Sequence, residues 1–192
     1  AAVHVADLVD IVEHEGLERP AVVGHSYGGC LGLESAAQHP ELIRAVFAYE
    51  PPYATVASPE VQAGIAEVGR RTLAARDERG LAAAALTFME GVSGAEAVAA
   101  LSPSARTRVG HAGRGAVADA TLSGMDPDDL ARITCPVRIA TGDASRPFYA
   151  EIAQGLVARI GGADHVRLEE LDHMAPVLRP EAVAAAIEAY LA

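Results

Sequence analysis

The chain is poor in aromatic residues and in cysteine. Tryptophan is absent, and phenylalanine and tyrosine together make up only 4% of the 192 residues. The two cysteines, Cys30 and Cys135, lack the spacing of a metal site, and we expect both to be small buried side chains without a disulfide. Hydrophobic residues reach 51%, with alanine dominant, so the composition favours one domain of closely packed helices, with room for an inserted lobe.

Basic residues and long apolar runs are scarce as well. The formal net charge is −11, which argues against nucleic acid or an anionic membrane as a partner. No run of about 18 apolar residues could span a membrane. The first residues lack the basic start of a signal peptide, so we expect a cytoplasmic protein. The glycines at 24–29 do not form a dinucleotide motif and no Gly-Lys-Ser/Thr phosphate loop occurs, so we expect no cofactor and no metal.

The most informative motif is Gly24-His25-Ser26-Tyr27-Gly28, which reads G-x-S-x-G. A short apolar run precedes it, and a segment of small residues that suits a helix follows it. A serine on a tight turn between a strand and a helix is typical of a nucleophile elbow. The helix that follows would direct its first N–H groups at an oxyanion formed there. The alternative is a glycine-rich turn in which Ser26 only caps the helix.

Apolar periodicity predicts strands that alternate with helices. The predicted strands cover residues 20–24, 42–49, 136–141 and 165–170, and the predicted helices cover 5–15, 26–38, 128–133, 148–160 and 180–191. This alternation indicates an α/β fold with a mostly parallel, doubly wound sheet, in which chemistry lies at the carboxyl ends of the strands. Residues 53–123 are alanine-rich, charged and broken by glycines. We predict that they form an inserted helical lobe, so that residues 1–52 and 124–192 form the core.

Three segments, residues 24–29, 135–143 and 171–176, together resemble the α/β-hydrolase family, in which serine, acid and histidine follow in this order. The resemblance implies that Ser26 is the nucleophile, that His173 is the general base and that the Tyr27 N–H donates to the oxyanion. It also implies that the helical lobe is a cap that shapes the substrate pocket. The candidate pocket residues are Tyr53, Phe88, Met89, Met125 and Met174.

The identity of the acid is left open between two carboxylates. In many family members the acid occupies the position held here by Ser145, which cannot do this work. Glu50 ends the second strand before two prolines, and Asp143 follows the third strand. We favour Glu50, because the prolines make it a rigid, aimed carboxylate and because some family members have their acid after that strand. Asp143 has a simpler interpretation as a turn residue that caps the next helix.

Family members normally have about four strands before the elbow, whereas only a helix precedes it here. The loop that supplies the second oxyanion donor belongs to that earlier part of the fold. We therefore expect that an absent N-terminal part, or a partner segment acquired by self-association or from another chain, supplies these strands.

The expected function is hydrolysis of a carboxylic ester of a small hydrophobic substrate through an acyl-enzyme. A serine triad would equally serve a thioesterase, a lactonase, a carbon–carbon hydrolase or a perhydrolase. The alternative from another class is a non-catalytic binding protein, or a partial subunit, with a hydrolase-like fold.

Overall fold

The computed structural model describes residues 2–120 and 126–192. The chain divides into two compact units, one formed by Ala1–Ala57 with Gly124–Ala192 and the other by Ser58–Ser123. The strands are β1 (Ala21–His25), β2 (Ala45–Tyr49), β3 (Val137–Gly142) and β4 (Asp164–Leu168). The helices are α1 (Ala2–His14), α2 (Tyr27–Gln38), α3 (Pro59–Arg79), α4 (Leu81–Ser93), α5 (Ala95–Ala99), α6 (Pro103–His111), α7 (Gly113–Ala120), α8 (Pro147–Val157), α9 (Ala175–Leu178) and α10 (Pro180–Leu191).

The four strands of the first unit form one parallel sheet in the order β1-β2-β3-β4. His25 stands opposite Tyr49, and Tyr49 stands opposite Ala140. Parallel strands have their carboxyl ends at one edge of the sheet. The predicted α/β fold with a parallel sheet is therefore confirmed, and the residues that follow β1, β2 and β3 meet at the same edge.

The sheet core is built from small helix residues that pack against branched strand residues. In α2, Leu33 and Ala36 are fully buried. A Cβ atom on Gly32 would lie 3.0 Å from a methyl of Val22 and 3.2 Å from a methyl of Val46. Glycine at this position therefore lets α2 approach the sheet closely, which fixes the helix that begins directly after Ser26. Both cysteines are buried, as expected.

The element boundaries differ from the prediction where local backbone geometry intervenes. The fourth strand ends at Leu168 rather than at residue 170, because Glu170 has a φ of 57° and turns the chain. The helix expected over residues 128–133 is a 3₁₀ helix, Pro127–Arg132, in which Asp126 accepts the N–H of Asp128. The short helix α9 was not predicted.

The second unit consists of α3 to α7, with the Ser58 side chain accepting the N–H of Val61 at the start of α3. Its first residue is Ser58, whereas the predicted lobe begins at residue 53. Tyr53 and the 3₁₀ turn Ala54–Val56 lie in the first unit. Among residues 2–120 and 126–192, no helix is long and apolar enough to cross a bilayer.

Candidate active site

Ser26 lies on a strained turn between β1 and α2. Its φ of 53° and ψ of −124° are unusual for a residue with a side chain. The Ser26 N–H donates to the carbonyl of Tyr49 at 2.9 Å, which fixes the turn to the neighbouring strand. A Cβ on Gly24 would overlap the carbonyl of Gly28, so the turn needs glycine there. The Ser26 side chain makes no capping hydrogen bond to α2, whose residues are all described.

Glu50 and His173 form a buried pair at the same edge of the sheet. Oε2 of Glu50 lies 2.8 Å from Nδ1 of His173, and both side chains are almost completely buried. The other carboxylate oxygen, Oε1, accepts the N–H of Gly142 at 2.8 Å. Gly142 ends β3, and a Cβ there would overlap the carbonyl of Leu171. The carboxylate is thus aimed by the backbone of β3 as well as by its own strand.

The carboxylate of Asp143 is engaged elsewhere. Its Oδ1 accepts the N–H of Glu170 at 2.7 Å, and the Asp143 backbone N–H donates to Leu168. Asp143 is exposed, whereas Glu50 is fully buried. Asp143 therefore fixes the turn that follows β4.

The ring of His173 lies close to two other rings. Tyr149 of α8 stacks on it with 4.7 Å between the centroids and 10° between the planes. The ring of His25, the residue before Ser26, lies 4.5 Å from it at 50°. Neither was predicted as a site residue. A His before the serine is visible in the motif, but nothing in the local sequence signals Tyr149, which lies 24 residues before His173.

Burial shapes the electrostatics of this ring cluster. Desolvation, with a further contribution from His173, lowers the pKa of His25 to about 4. Desolvation likewise holds the pKa of Tyr149 well above its ordinary value, with the Glu50 charge acting in the same direction. His25 is therefore neutral near pH 7, and Tyr149 keeps its proton. The Nε2 atom of His25 and the hydroxyl of Tyr149 are buried without a hydrogen-bond partner among the described residues.

The loop that carries His173 is fixed by hydrogen bonds to its two neighbours in the chain, Asp172 and Met174. The Tyr49 hydroxyl donates to the carbonyl of Asp172 at 2.8 Å. Oδ1 of Asp172 accepts the N–H of Met174 at 2.9 Å. Asp172 thus acts within its own loop, and Tyr49 connects this loop to β2, the strand that leads into Glu50.

The candidate pocket residues have different surroundings. Tyr53 is fully buried in the first unit, and its hydroxyl lies 2.6 Å from Oε1 of Glu34. Met174 is half-buried beside His173. Phe88 and Met89 are half-buried in α4 of the second unit. Met125 lies outside the described residues.

The chemistry of this arrangement centres on Nε2 of His173. A carboxylate at Nδ1 favours the tautomer with the proton on Nδ1, which leaves Nε2 as the basic atom. A carboxylate at this distance also stabilises the imidazolium that forms when Nε2 takes a proton. Among residues 2–120 and 126–192, no group of three or more His, Cys, Asp or Glu side chains is arranged to hold a metal ion.

Residues 1–186 match the model of the alpha/beta hydrolase family. A search of curated proteins finds no match. Three similar solved structures are an alpha/beta hydrolase from Sphaerobacter thermophilus, a structure from a study of carboxylesterases of Nitrososphaera gargenis, and a bromoperoxidase from Bacillus anthracis.

The similarity to these structures is extensive in shape and low in sequence. The Sphaerobacter protein is 25% identical with a TM-score of 0.71, and the match covers 98% of this chain and 73% of that one. The Nitrososphaera structure is 21% identical with a TM-score of 0.72, and the match covers 99% of this chain and 71% of that one. The bromoperoxidase is 18% identical with a TM-score of 0.73, and the match covers 97% of this chain and 72% of that one. The backbone of this chain is therefore similar to most of each of these proteins.

Proposed function

We propose that this chain, which belongs to the alpha/beta hydrolase family, is a serine hydrolase that cleaves carboxylic esters of small hydrophobic substrates. The observation that carries the proposal is the buried pair between Oε2 of Glu50 and Nδ1 of His173, 2.8 Å apart. This pair lies at the edge of the sheet where Ser26 follows β1 on its strained turn. Serine, histidine and a carboxylate in these roles are the parts of an acyl-transfer triad.

In the proposed reaction, Oγ of Ser26 attacks the carbonyl carbon of the ester and Nε2 of His173 takes the hydroxyl proton. Collapse of the tetrahedral intermediate releases the alcohol, which receives that proton from His173. Water then attacks the acyl-enzyme with His173 again as base, and the free acid leaves while Ser26 regains its proton. Glu50 stabilises the imidazolium at each stage. The Tyr27 N–H, in the first turn of α2, donates to the oxyanion.

The similar structures are consistent with hydrolytic chemistry but do not identify the bond that is cleaved. The names of two of them include a carboxylesterase and a bromoperoxidase. At 21% and 18% identity they share the fold with this chain. The preference for esters therefore rests on the proposed triad, and the same residues would act on thioesters or lactones.

The proposal is tested by treating the protein with a fluorophosphonate probe, which phosphonylates an activated serine, and mapping the adduct by mass spectrometry. We expect one adduct on Ser26, together with hydrolysis of p-nitrophenyl acetate. The Ser26→Ala variant should lose both while keeping the parent's circular dichroism spectrum. A folded parent that takes no adduct and hydrolyses no ester would overturn the proposal and favour a binding role.

A further inference from the structure

We infer that Tyr53 and Glu34 are positioning residues, and that their buried hydrogen bond holds the Glu50 segment against the helix of the nucleophile. The inference rests on the proposed function, because it assigns Glu50 the role of the acid. Tyr53 is fully buried and Glu34 is 5% exposed. The Tyr53 hydroxyl lies 2.6 Å from Oε1 of Glu34, and the Gln38 amide donates to Oε2 at 3.0 Å.

The need for such a contact arises from the backbone of Glu50. Its φ of 48° is a conformation that costs a residue with a side chain about 1–3 kcal/mol. A strained residue keeps its conformation only when the surrounding structure over-determines it. On one side, the Glu50 N–H donates to Ala140 at 2.9 Å in the sheet. The Glu50 carboxylate is held by Gly142 and His173. The chain leaves the sheet after Glu50, so the backbone on that side is restrained by the residues that follow.

The segment after Glu50 is stiff enough to transmit a restraint. Pro51 and Pro52 both have fixed φ angles, and the Tyr53 N–H donates to the carbonyl of Pro51 at 2.9 Å. Pro51 also packs on α2, since a Cβ on Gly29 would lie 3.2 Å from the Cβ of Pro51. An anchor at Tyr53 therefore limits the movement of Glu50 three residues earlier.

The anchor connects to the helix that begins after the nucleophile. Glu34 lies two turns into α2, on the face buried against the rest of the first unit. The Tyr53 hydroxyl is also 3.1 Å from the carbonyl of Asp126, which precedes the 3₁₀ helix Pro127–Arg132. Three segments of the first unit thus meet at one hydroxyl. Burial, and then the hydrogen bond to Glu34, raises the pKa of Tyr53, so this hydroxyl keeps its proton and remains a donor.

The two partners of the Glu34 carboxylate are neutral groups, a phenol and an amide. A buried carboxylate costs free energy unless it is well hydrogen-bonded, and an apolar residue of similar size would avoid that cost. Glu34 is therefore poorly explained as a residue that only fills the core. As the acceptor for Tyr53, it supplies a short, directional contact that an apolar side chain cannot make.

The test compares Tyr53→Phe and Glu34→Leu, which both remove the hydrogen bond, with Glu34→Gln, which keeps an oxygen acceptor for Tyr53. Tyr190→Phe is the matched control, because it deletes one tyrosine hydroxyl in α10 of the same unit. Rates for p-nitrophenyl acetate are divided by the concentration of serine that the fluorophosphonate probe titrates, so that unfolded protein does not count.

We expect Tyr53→Phe and Glu34→Leu to lower kcat about tenfold or more with little change in KM, because a misplaced catalytic group slows the chemical step. Glu34→Gln should keep kcat within about threefold of the parent, and Tyr190→Phe should match it.

Three outcomes overturn the inference while leaving the proposed function intact. One is a Tyr53→Phe variant with the parent's kcat. Another is a variant whose fraction of titratable serine falls while the rate per titrated site stays unchanged, which would indicate a purely structural role. The third is equal losses in Glu34→Gln and Glu34→Leu. Failure of the proposed function has a different signature, a parent without Ser26-dependent hydrolysis.

Discussion

Two residues of the proposed triad have a positive φ angle, which is unfavourable for residues with side chains. Ser26 and Glu50 have φ values of 53° and 48°, in a region that residues with side chains seldom adopt. Each is fixed by its own N–H, which donates to the next strand, from Ser26 to Tyr49 and from Glu50 to Ala140. The parallel sheet therefore imposes the geometry of both residues, and the strain is the local cost of turning their side chains toward one edge.

The assignment of the acid gives a direct prediction. Glu50→Gln should lower kcat by about two to four orders of magnitude, because an amide next to Nδ1 favours the wrong tautomer and does not stabilise the imidazolium. Asp143→Asn should stay within a few-fold of the parent, since an amide oxygen can still accept the N–H of Glu170. The measurement is kcat for p-nitrophenyl acetate, with the melting temperature of each variant as the folding control. Equal activity of Glu50→Gln and the parent would contradict this role for Glu50.

The half-buried imidazole of His25 predicts a loss of stability in acid. Its pKa is about 4 in the folded protein and about 6.5 in an unfolded chain. Between these values the unfolded chain binds more protons, so the free energy of unfolding falls as the pH is lowered through this window. Burial also lowers the pKa of His165, which adds in the same direction.

This acid effect can be isolated with His25→Gln, which cannot take up the proton. In urea unfolding of the parent, the titration of His25 should lower the free energy of unfolding by about 1 kcal/mol for each pH unit between pH 6 and about 4.5. The variant should show a slope that is shallower by this amount. Parallel pH dependences in the two proteins would show that His25 does not titrate in this way.

The residues around Ser26 and Glu50 were predictable because the patterns that indicate them lie within a few neighbouring positions. The glycines of the motif, the apolar run before it and the two prolines after Glu50 are all visible in short windows. The contacts of His173 are not local. They depend on the register of β2 against β3, which brings Glu50 and the end of β3 together across 92 residues. The stacking of Tyr149 depends on the direction of α8, which no short pattern encodes.

At the scale of elements, short apolar patterns predicted the strands, while the ends of elements depended on individual backbone angles. Each of the four predicted strands overlaps an observed one. Ala45–Tyr49 is a continuous buried apolar segment, which is typical of a parallel strand, whereas Asp164–Leu168 was recognised by its alternating pattern. The short helix predicted over residues 128–133 is a 3₁₀ helix, Pro127–Arg132, and the Asp126 side chain accepts the N–H of Asp128 at its start. The four-residue helix α9 is too short for a periodic signal.

The pairing of α3 with α4 gives a prediction for the second unit. A Cβ on Gly91 would overlap the side chain of Val68, a branched residue with little freedom to move away. Gly91→Ala should therefore lower the free energy of unfolding by about 1–3 kcal/mol through overpacking. Adding Val68→Ala to this variant should restore part of the loss, because the smaller side chain leaves room for the new methyl group.

The contact between Gly91 and Val68 is measured by a double-mutant cycle in chemical unfolding. Val68→Ala alone creates a cavity and should also be destabilising. We expect the double variant to be more stable than the sum of the two single effects, with a coupling of about 0.5 kcal/mol or more. Strictly additive effects would mean that Gly91 and Val68 do not pack against each other.

At the scale of the whole molecule, the charge is unevenly divided. Residues 58–123 contain seven arginines and seven acidic residues, so the second unit is neutral. The whole net charge of −11 therefore belongs to the first unit, which contains Ser26, Glu50 and His173. A negative potential around this unit would repel anionic substrates during diffusional encounter, and neutral substrates would be unaffected.

This charge distribution predicts how salt changes substrate choice. For an anionic ester, such as the p-nitrophenyl monoester of succinic acid, kcat/KM should rise by a few-fold between about 10 mM and 150 mM salt, because the Debye length falls from about 30 Å to about 8 Å. For p-nitrophenyl butyrate, which has the same acyl chain length and no charge, kcat/KM should stay constant. Since screening weakens repulsion and attraction alike, a fall in kcat/KM for the anionic ester would mean that a local positive charge dominates its approach. An equal response of both esters would instead point to an effect of salt on the protein.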